Sequence, residues 1–294
     1  MFKAAGGLKL LVVLCVVGSN ATVTAAQEVG PASGSLVIVG GGLRDLTILE
    51  EFVELAGGPH AAIVVIPTAG GRDEYDQYCP CLRQLREVGA TNLTVLHTKD
   101  RGEADSDEFV AVLQEARGVW FSGGRQWRLA DSYLGTKLQD ELWGVLERGG
   151  VIGGSSAGAT IQGSYLVRGD TETNTIMMGD HEEGFGFLRD VAIDQHLLKR
   201  NRQFDLIEVI EAHPQLLGIG LDENTAIVVR GNSFRVIGAS YVAIYDRGRQ
   251  LDSGGVFYFL APGDRYNMQT REAFRMRTTA EPLDRVVEEV WPQR

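Results

Sequence analysis

The sequence predicts an α/β fold with a mainly parallel sheet, and three observations support this. Short apolar runs alternate with stretches of helical periodicity through the first two-thirds of the chain. These runs are continuously apolar, whereas a strand with one wet face alternates apolar and polar residues, so we expect helices on both faces of the sheet. After Ala226 the helical pattern stops and closely spaced strand-like runs follow, which predicts extra antiparallel strands near the C-terminus.

The individual elements follow from the same patterns. The predicted strands are 36–39, 62–66, 93–96, 118–121, 226–229, 234–237, 241–244 and 256–260. Helices are predicted over 107–117 and 138–146, where apolar residues recur at helical spacing. Gly231-Asn232, between two of the later strands, fits a two-residue hairpin turn.

The N-terminus has the pattern of a targeting segment. Lys3 and Lys9 precede an apolar stretch over 10–17, and small residues follow up to position 26. This order is typical of a cleavable signal peptide, and the apolar stretch is too short to span a membrane. We therefore predict a signal peptide over 1–26 and a secreted or periplasmic product. The remainder, 27–294, contains no linker-like stretch and predicts one α/β domain.

Charge and cysteine content restrict the function classes. The net charge is −11, and the sequence shows no basic stripe, which argues against a nucleic-acid partner. After the predicted signal peptide only Cys79 and Cys81 remain, in a C-x-C pair. Export favours disulfides, yet a bridge within C-x-C closes a very small ring, so the sequence leaves their oxidation open. A metal site at this pair is disfavoured because no nearby second pair or histidine completes four ligands.

A glycine run follows the first predicted strand. Gly40 and Gly42 match two glycines of a dinucleotide-binding loop, but Asp45 occupies the third position, where its charge would repel a pyrophosphate. The lysine-bearing phosphate loop of nucleotide hydrolases is absent from the sequence as well. We therefore interpret the run as close backbone packing at the carboxyl end of the strand.

The segment 151–160 carries the strongest chemical signal. Gly154, Ser156 and Gly158 fit the nucleophile-elbow pattern G-x-S-x-G, in which a serine sits on a sharp strand-to-helix turn. A Cβ at either glycine would collide with the neighbouring strand or helix. The N–H of Ala157 would then point toward a developing oxyanion. On its own the motif is equally compatible with a simple tight turn.

A serine nucleophile needs a base and an orienting acid. Of the five histidines, His196 differs because it follows a predicted strand, and functional groups of open α/β sheets gather at strand carboxyl ends. The other four lie in loop-like or helix-end contexts: His60, His97, His181 and His213. Two carboxylates, Asp222 and Glu223, follow the apolar run 217–221, and Gly124 follows another strand. A polar helix start at His196 and an acidic turn at 222–223 are the plain alternatives.

These motifs together resemble one family. They are Val39–Gly42, Gly123–Gln126, Gly154–Ala159, Asp194–His196 with Arg200 and Arg202, and Gly220–Ala226. Their order and type resemble cyanophycinase and its relatives, which are serine peptidases. The resemblance covers nearly all of the chain after the signal peptide. It implies a three-layer α/β/α fold like that of class I glutamine amidotransferases, which is flavodoxin-like.

The resemblance also implies roles for individual residues. Ser156 matches the nucleophile, His196 the general base and Glu223 the orienting acid. The order Ser–His–Glu differs from the Ser–acid–His order of α/β-hydrolases, which disfavours an esterase. Gly124 and Ala157 match the oxyanion donors. The residues implied to line the substrate site are Gln126, Asp194, Gln195, Arg200 and Arg202. The resemblance implies neither a cofactor nor a metal; family members are often dimers, which leaves a homodimer open.

The implied substrate is cyanophycin, an aspartate backbone with arginine joined to each side chain. Arg200 or Arg202 would bind its carboxylate, and Asp194 its guanidinium or a free amine. Two positions depart from the family: Asp205 replaces an arginine, and Arg125 replaces Asp or Asn. Both favour a second hypothesis, hydrolysis of other aspartyl or isoaspartyl peptides. A third is a non-catalytic binding protein on the same fold; no metalloprotease motif supports a metal-dependent hydrolase.

Overall fold

The computed structural model describes residues 28–248 and 255–276, together with Met1. The predicted signal peptide, apart from Met1, lies outside the described residues. The strands are β1 (Ser35–Val39), β2 (Ile63–Ile66), β3 (Leu93–Val95), β4 (Gly118–Phe121), β5 (Val151–Ser155), β6 (Gly163–Tyr165), β7 (Leu188–Gln195), β8 (Leu217–Leu221), β9 (Thr225–Arg230), β10 (Ser233–Gly238), β11 (Val242–Tyr245), β12 (Tyr258–Leu260), β13 (Arg265–Asn267) and β14 (Glu272–Phe274). The helices are α1 (Thr47–Ala56), α2 (Arg83–Glu87), α3 (Arg101–Ala104), α4 (Asp107–Gln114), α5 (Trp127–Tyr133), α6 (Lys137–Glu147), α7 (Ala157–Thr160) and α8 (Asp205–Ala212).

The main sheet has nine strands in the order β14-β13-β10-β9-β1-β5-β4-β2-β3. The five strands from β1 to β3 in this order are parallel, and the four on the other side of β1 are antiparallel. The hairpin between β9 and β10 turns through Gly231 and Asn232, since Arg230 pairs with Ser233. The predicted parallel core with antiparallel strands toward the C-terminus is confirmed.

A second sheet of five strands, in the order β12-β11-β8-β7-β6, departs from the expectation of one sheet. Its strands β6, β7 and β8 are parallel, like those of the main sheet. Strand β8 is apolar throughout and β7 is apolar over 191–193, so the sequence pattern alone could not assign them to a separate sheet. The second sheet matters for function because β7 and β8 lead into His196 and Glu223.

The main sheet is covered on both faces. Helix α1 packs Ile48 and Phe52 against one face, where Phe52 meets Trp120 of β4 edge to face. On the other face α4 to α6 share one apolar core with the inner side of the second sheet. Helix α8 covers the outer side of the second sheet through Leu206 and Val209. One face of the main sheet is thus covered by helix α1, and the other is covered by α4 to α6 together with the second sheet.

Two further features of the described part of the chain bear on the predictions. A disulfide joins Cys79 and Cys81 in the loop before α2, which answers the question that the sequence leaves open. None of the helices in the described ranges is long and apolar enough to cross a bilayer.

Candidate active site

Ser156 lies on the turn between β5 and α7 in a backbone conformation that side chains rarely adopt, with φ 59° and ψ −112°. Two glycines make this turn possible. A Cβ on Gly154 would come within 2.2 Å of the Gly158 carbonyl oxygen in α7. A Cβ on Gly158 would come within 2.3 Å of the Phe121 oxygen in β4. The elbow predicted from the sequence is therefore present, and its glycines have the predicted steric reason.

The serine, histidine and glutamate predicted from the sequence lie together. Ser156 Oγ is 2.9 Å from His196 Nε2, and His196 Nδ1 is 2.8 Å from Glu223 Oε1. Both distances are those of good hydrogen bonds. The imidazole can therefore accept the hydroxyl proton at Nε2 while the carboxylate holds the proton on Nδ1.

The glycine run after β1 brings the two sheets together at this point. The Gly40 carbonyl accepts a hydrogen bond from the His196 N–H at 2.8 Å, and the Gly41 carbonyl accepts one from the Asn224 N–H at 2.8 Å. A Cβ on Gly41 would lie 2.3 Å from His196 Cε1, and one on Gly42 would lie 2.3 Å from Glu223 Oε2. The interpretation of this run as close packing is thus correct, but the sequence did not reveal what it packs against.

The two adjacent carboxylates after β8 have different tasks. Asp222 accepts hydrogen bonds from the N–H groups of Leu198 and Lys199, both at 2.9 Å, and from the Ser240 hydroxyl. It therefore fixes the turn that follows His196. Glu223 alone of this pair faces the imidazole, so the choice of Glu223 over Asp222 made on family resemblance agrees with the contacts.

The predicted oxyanion donors, Gly124 and Ala157, directly follow Gly123 and Ser156 in the chain. Gly123 lies beside Ser156, since a Cβ there would be 3.4 Å from Ser156 Cβ and 3.8 Å from its Oγ. Gly124 has φ +151° and packs against the Ala69 carbonyl, which leaves no room for a side chain. Ala157 opens α7, and the first N–H groups of a helix have no acceptor within it.

His196 is tuned toward its neutral form. Burial lowers its pKa below the ordinary value of 6.5, and the Arg200 and Arg202 guanidiniums act in the same direction. The hydrogen bond that His196 donates to Glu223 and the charge of that carboxylate oppose these effects but do not cancel them. At neutral pH the imidazole is therefore unprotonated and able to act as a base.

A cavity of about 530 Å³ lies next to the loop that follows His196, and Arg200 and Arg202 of this loop line it. Arg200 is exposed, whereas Arg202 is 7% exposed. Gln195 holds the buried guanidinium, because its side-chain oxygen accepts a hydrogen bond from Arg202 Nη1 at 3.0 Å. Three of the five predicted substrate-lining residues thus belong to this cavity or support it directly.

The other two lie behind the surface. Asp194 is 0% exposed and receives two hydrogen bonds from Arg168, at 2.8 and 3.0 Å. Gln126 is also buried and donates to the Val167 carbonyl. Their burial and internal bonds do not fit the expectation of direct substrate contact. The sequence motifs do not identify Arg168. Its position directly after the apolar run 165–167 is the available signal, because an arginine among buried residues is almost always paired with an acid.

The two departures from the family pattern differ in position. Asp205 lines the cavity and bonds Arg168 Nη2 at 2.5 Å, so its charge is coupled to a buried cation. Arg125 does not line the cavity; it donates to the Asp170 carbonyl at 2.6 Å and ties down the loop after β6. Within the described residues no group of three His, Cys, Asp or Glu side chains is arranged to hold a metal ion.

Comparison with known proteins agrees with this site. Residues 36–237 match the peptidase family S51, and the chain belongs to that family. It is accordingly a serine-type peptidase. The chain is 34% identical to the cyanophycinase of Synechococcus elongatus over 229 residues, which cover 72% of this chain and 68% of the relative. It is 31% identical to the cyanophycinase of Geminocystis herdmanii, covering 81% and 95%.

More distant relatives include peptidase E of Actinobacillus pleuropneumoniae, 24% identical over 73% of this chain and 90% of that protein. Among solved structures, a peptidase from an acI-B1 Actinobacterium has a TM-score of 0.61 at 27% identity, covering 81% of this chain and 98% of that one. A putative peptidase E from Listeria monocytogenes has a TM-score of 0.51 at 20% identity, covering 71% and 100%, and shows the shared fold.

Proposed function

We propose that the protein is an exported serine exopeptidase that hydrolyses cyanophycin to β-aspartyl-arginine dipeptides. The observation that carries the proposal is the hydrogen-bonded series Ser156–His196–Glu223 at the junction of the two sheets. The curated relatives named cyanophycinase support the substrate, and the signal-peptide pattern of 1–26 supports export. Export predicts a mature N-terminus at Gln27, which N-terminal sequencing of secreted protein tests.

In the proposed mechanism the Ser156 oxygen attacks the scissile carbonyl carbon while its proton moves to His196 Nε2. Glu223 keeps the imidazole in the required tautomer and stabilises the imidazolium that forms. The carbonyl oxygen becomes an oxyanion, which the N–H groups of Gly124 and Ala157 stabilise; one such donor is typically worth about 3 kcal/mol of barrier. The intermediate then expels the amine, which takes the proton from Nε2. Water hydrolyses the resulting ester by the same steps in reverse.

The cavity next to the loop after His196 supports this substrate. Arg200 and Arg202 present guanidinium groups there, and guanidinium groups bind carboxylates by paired hydrogen bonds. Cyanophycin carries a carboxylate and a guanidinium on each repeating unit. A second candidate, hydrolysis of other aspartyl or isoaspartyl peptides, is favoured by Asp205, which makes the cavity less cationic than an arginine there would.

The test incubates purified protein with cyanophycin and identifies products by mass spectrometry. Ser156→Ala should reduce the rate at least 10,000-fold, because the residual rate without a nucleophile comes from binding and the oxyanion donors alone. Ser155→Ala is the matched control and should stay within a few-fold of wild type. Retained hydrolysis in folded Ser156→Ala would contradict the mechanism. Release of products from aspartyl dipeptides but none from cyanophycin would select the second candidate.

A further inference from the structure

The cavity next to the loop after His196 has two walls of opposite chemistry. The loop after β7 supplies Arg200 and Arg202, which are cationic. The start of α8 supplies Phe204, Asp205 and Glu208, an aromatic ring and two carboxylates. The two carboxylates of the second wall would not favour a ligand that is only an anion.

The cationic wall of the cavity is suited to an anionic group of a ligand. Arg202 is 7% exposed, and within the described part of the chain no carboxylate forms an ion pair with it. Its Nη1 is bonded to Gln195, which leaves the rest of the guanidinium toward the cavity. Asp194 and Asp205 act on its charge without bonding it, so an anionic group of a ligand would give Arg202 a direct partner.

The opposite wall has the features of a cation site. Phe204 lines the cavity and is 61% exposed, while its ring meets the Phe257 ring edge to face. Glu208 follows one helical turn later and is exposed, so its carboxylate lies near that ring. Asp205 lies between them with part of its carboxylate accessible. Aromatic faces and carboxylates together attract guanidinium and ammonium groups.

Another carboxylate that could serve this purpose is already engaged. Asp194 is the residue that sequence analysis assigned to the substrate guanidinium, but it is buried and bonded twice to Arg168. The cationic group of a substrate therefore needs a different partner, and the start of α8 is the acidic surface that the cavity offers.

We propose that Phe204 and Glu208, with Asp205, form a subsite for a guanidinium or ammonium group of the substrate residue whose carboxylate contacts Arg200 and Arg202. This inference rests on the proposed function and makes it more specific: the preferred substrate residue carries both charges. The volume of about 530 Å³ is sufficient for one such residue with its neighbouring peptide groups.

The experiment uses two β-aspartyl peptides that differ in one residue, arginine or citrulline, which has nearly the same shape but no charge. Wild type should cleave the arginine peptide about 10-fold or more faster in kcat/KM, which corresponds to about one charge-assisted hydrogen bond. Glu208→Gln and Phe204→Ala should each bring this ratio toward one, because each should slow cleavage of the arginine peptide more than cleavage of the citrulline peptide. Glu211→Gln, an exposed carboxylate of the same helix outside the cavity, is the matched control.

Binding of both peptides to Ser156→Ala by calorimetry separates the two proposals. Preferential binding of the arginine peptide without cleavage by wild type would refute the proposed function and keep the subsite. Equal affinities, or a preference that survives in Glu208→Gln and Phe204→Ala, would overturn the subsite. Equal losses on both peptides would overturn it too, because they would indicate a structural role only.

Discussion

The two sides of the active site are held in place by different interactions, close backbone packing on one side and ion pairs on the other. Ser156 belongs to the main sheet, and the parts around it are neutral backbone groups in close contact, with glycines at 154 and 158. His196 belongs to the second sheet, and its strand ends in a buried network of charges between Asp194, Arg168 and Asp205. The serine side depends on the absence of side chains, whereas the histidine side depends on paired ions.

This difference predicts how each side tolerates change. A steric arrangement fails when one carbon atom is added, because packed backbone cannot move away. An ionic arrangement fails when one charge is removed, because the partner is left buried and uncompensated. The glycine run after β1 lies between the serine side and the histidine side. Like the serine side it is sensitive to an added side chain, and it positions residues of the histidine side.

The largest effect is expected at this junction. Gly41→Ala should lower kcat/KM about 100- to 10,000-fold, because the new Cβ would lie 2.3 Å from His196 Cε1 and displace the base. Gly58→Ala is the matched control: its φ of +97° is also unfavourable for alanine, but no atom lies within 4 Å of the new Cβ. Steady-state kinetics and thermal melts of both variants separate the two costs. Similar activity in the two variants would refute the steric account.

The next effect tests the charge network. Arg168→Met should cost about 3–5 kcal/mol of unfolding free energy, since it leaves Asp194 buried without a counter-charge. The control Arg235→Met removes a surface partner of Glu51, where the arginine side chain is 39% exposed, and should cost about 1 kcal/mol or less. Urea denaturation measures both. If the two variants lost equal stability, the buried network would not hold the histidine side.

The smallest effect concerns the base itself. Arg200→Gln removes a cation that disfavours the imidazolium, so the pKa of His196 should rise and the acid limb of activity should move to higher pH. Glu223 and Arg202 remain as the charged neighbours of the ring. The pH dependence of inactivation by an uncharged serine reagent reports this shift without substrate binding. Lys199→Gln, the adjacent exposed cation, should leave the profile in place, and an unmoved profile in both would contradict the assignment.

Sequence reasoning succeeded where a feature is local. The elbow was predictable because the steric need for Gly154 and Gly158 arises within the turn and its immediate neighbours. The parallel strands were predictable because burial on both faces leaves a continuous apolar run in each. His196 stood out among the histidines because it ends such a run.

The failures concern contacts between distant parts of the chain. Asp194 was predicted to meet substrate, and nothing near it in sequence reveals Arg168, which comes from the end of a different strand. The membership of β7 and β8 in a second sheet likewise depends on partners, since an apolar run does not reveal which strand it pairs with. Asp205 was interpreted as a change of the substrate preference, and the sequence did not reveal that its charge is coupled to Arg168.

The link between Arg168 and Asp205 also constrains how this lineage can evolve. A mutation that removes Arg168 leaves Asp194 and Asp205 without the cation that bonds both, whereas one that removes Asp205 leaves the buried pair of Asp194 and Arg168 in place. Loss of Arg168 is therefore penalised more strongly, so position 205 is expected to vary among descendants more freely than position 168. Substrate preference can then change through the wall of α8 while the residue 37 positions away is retained.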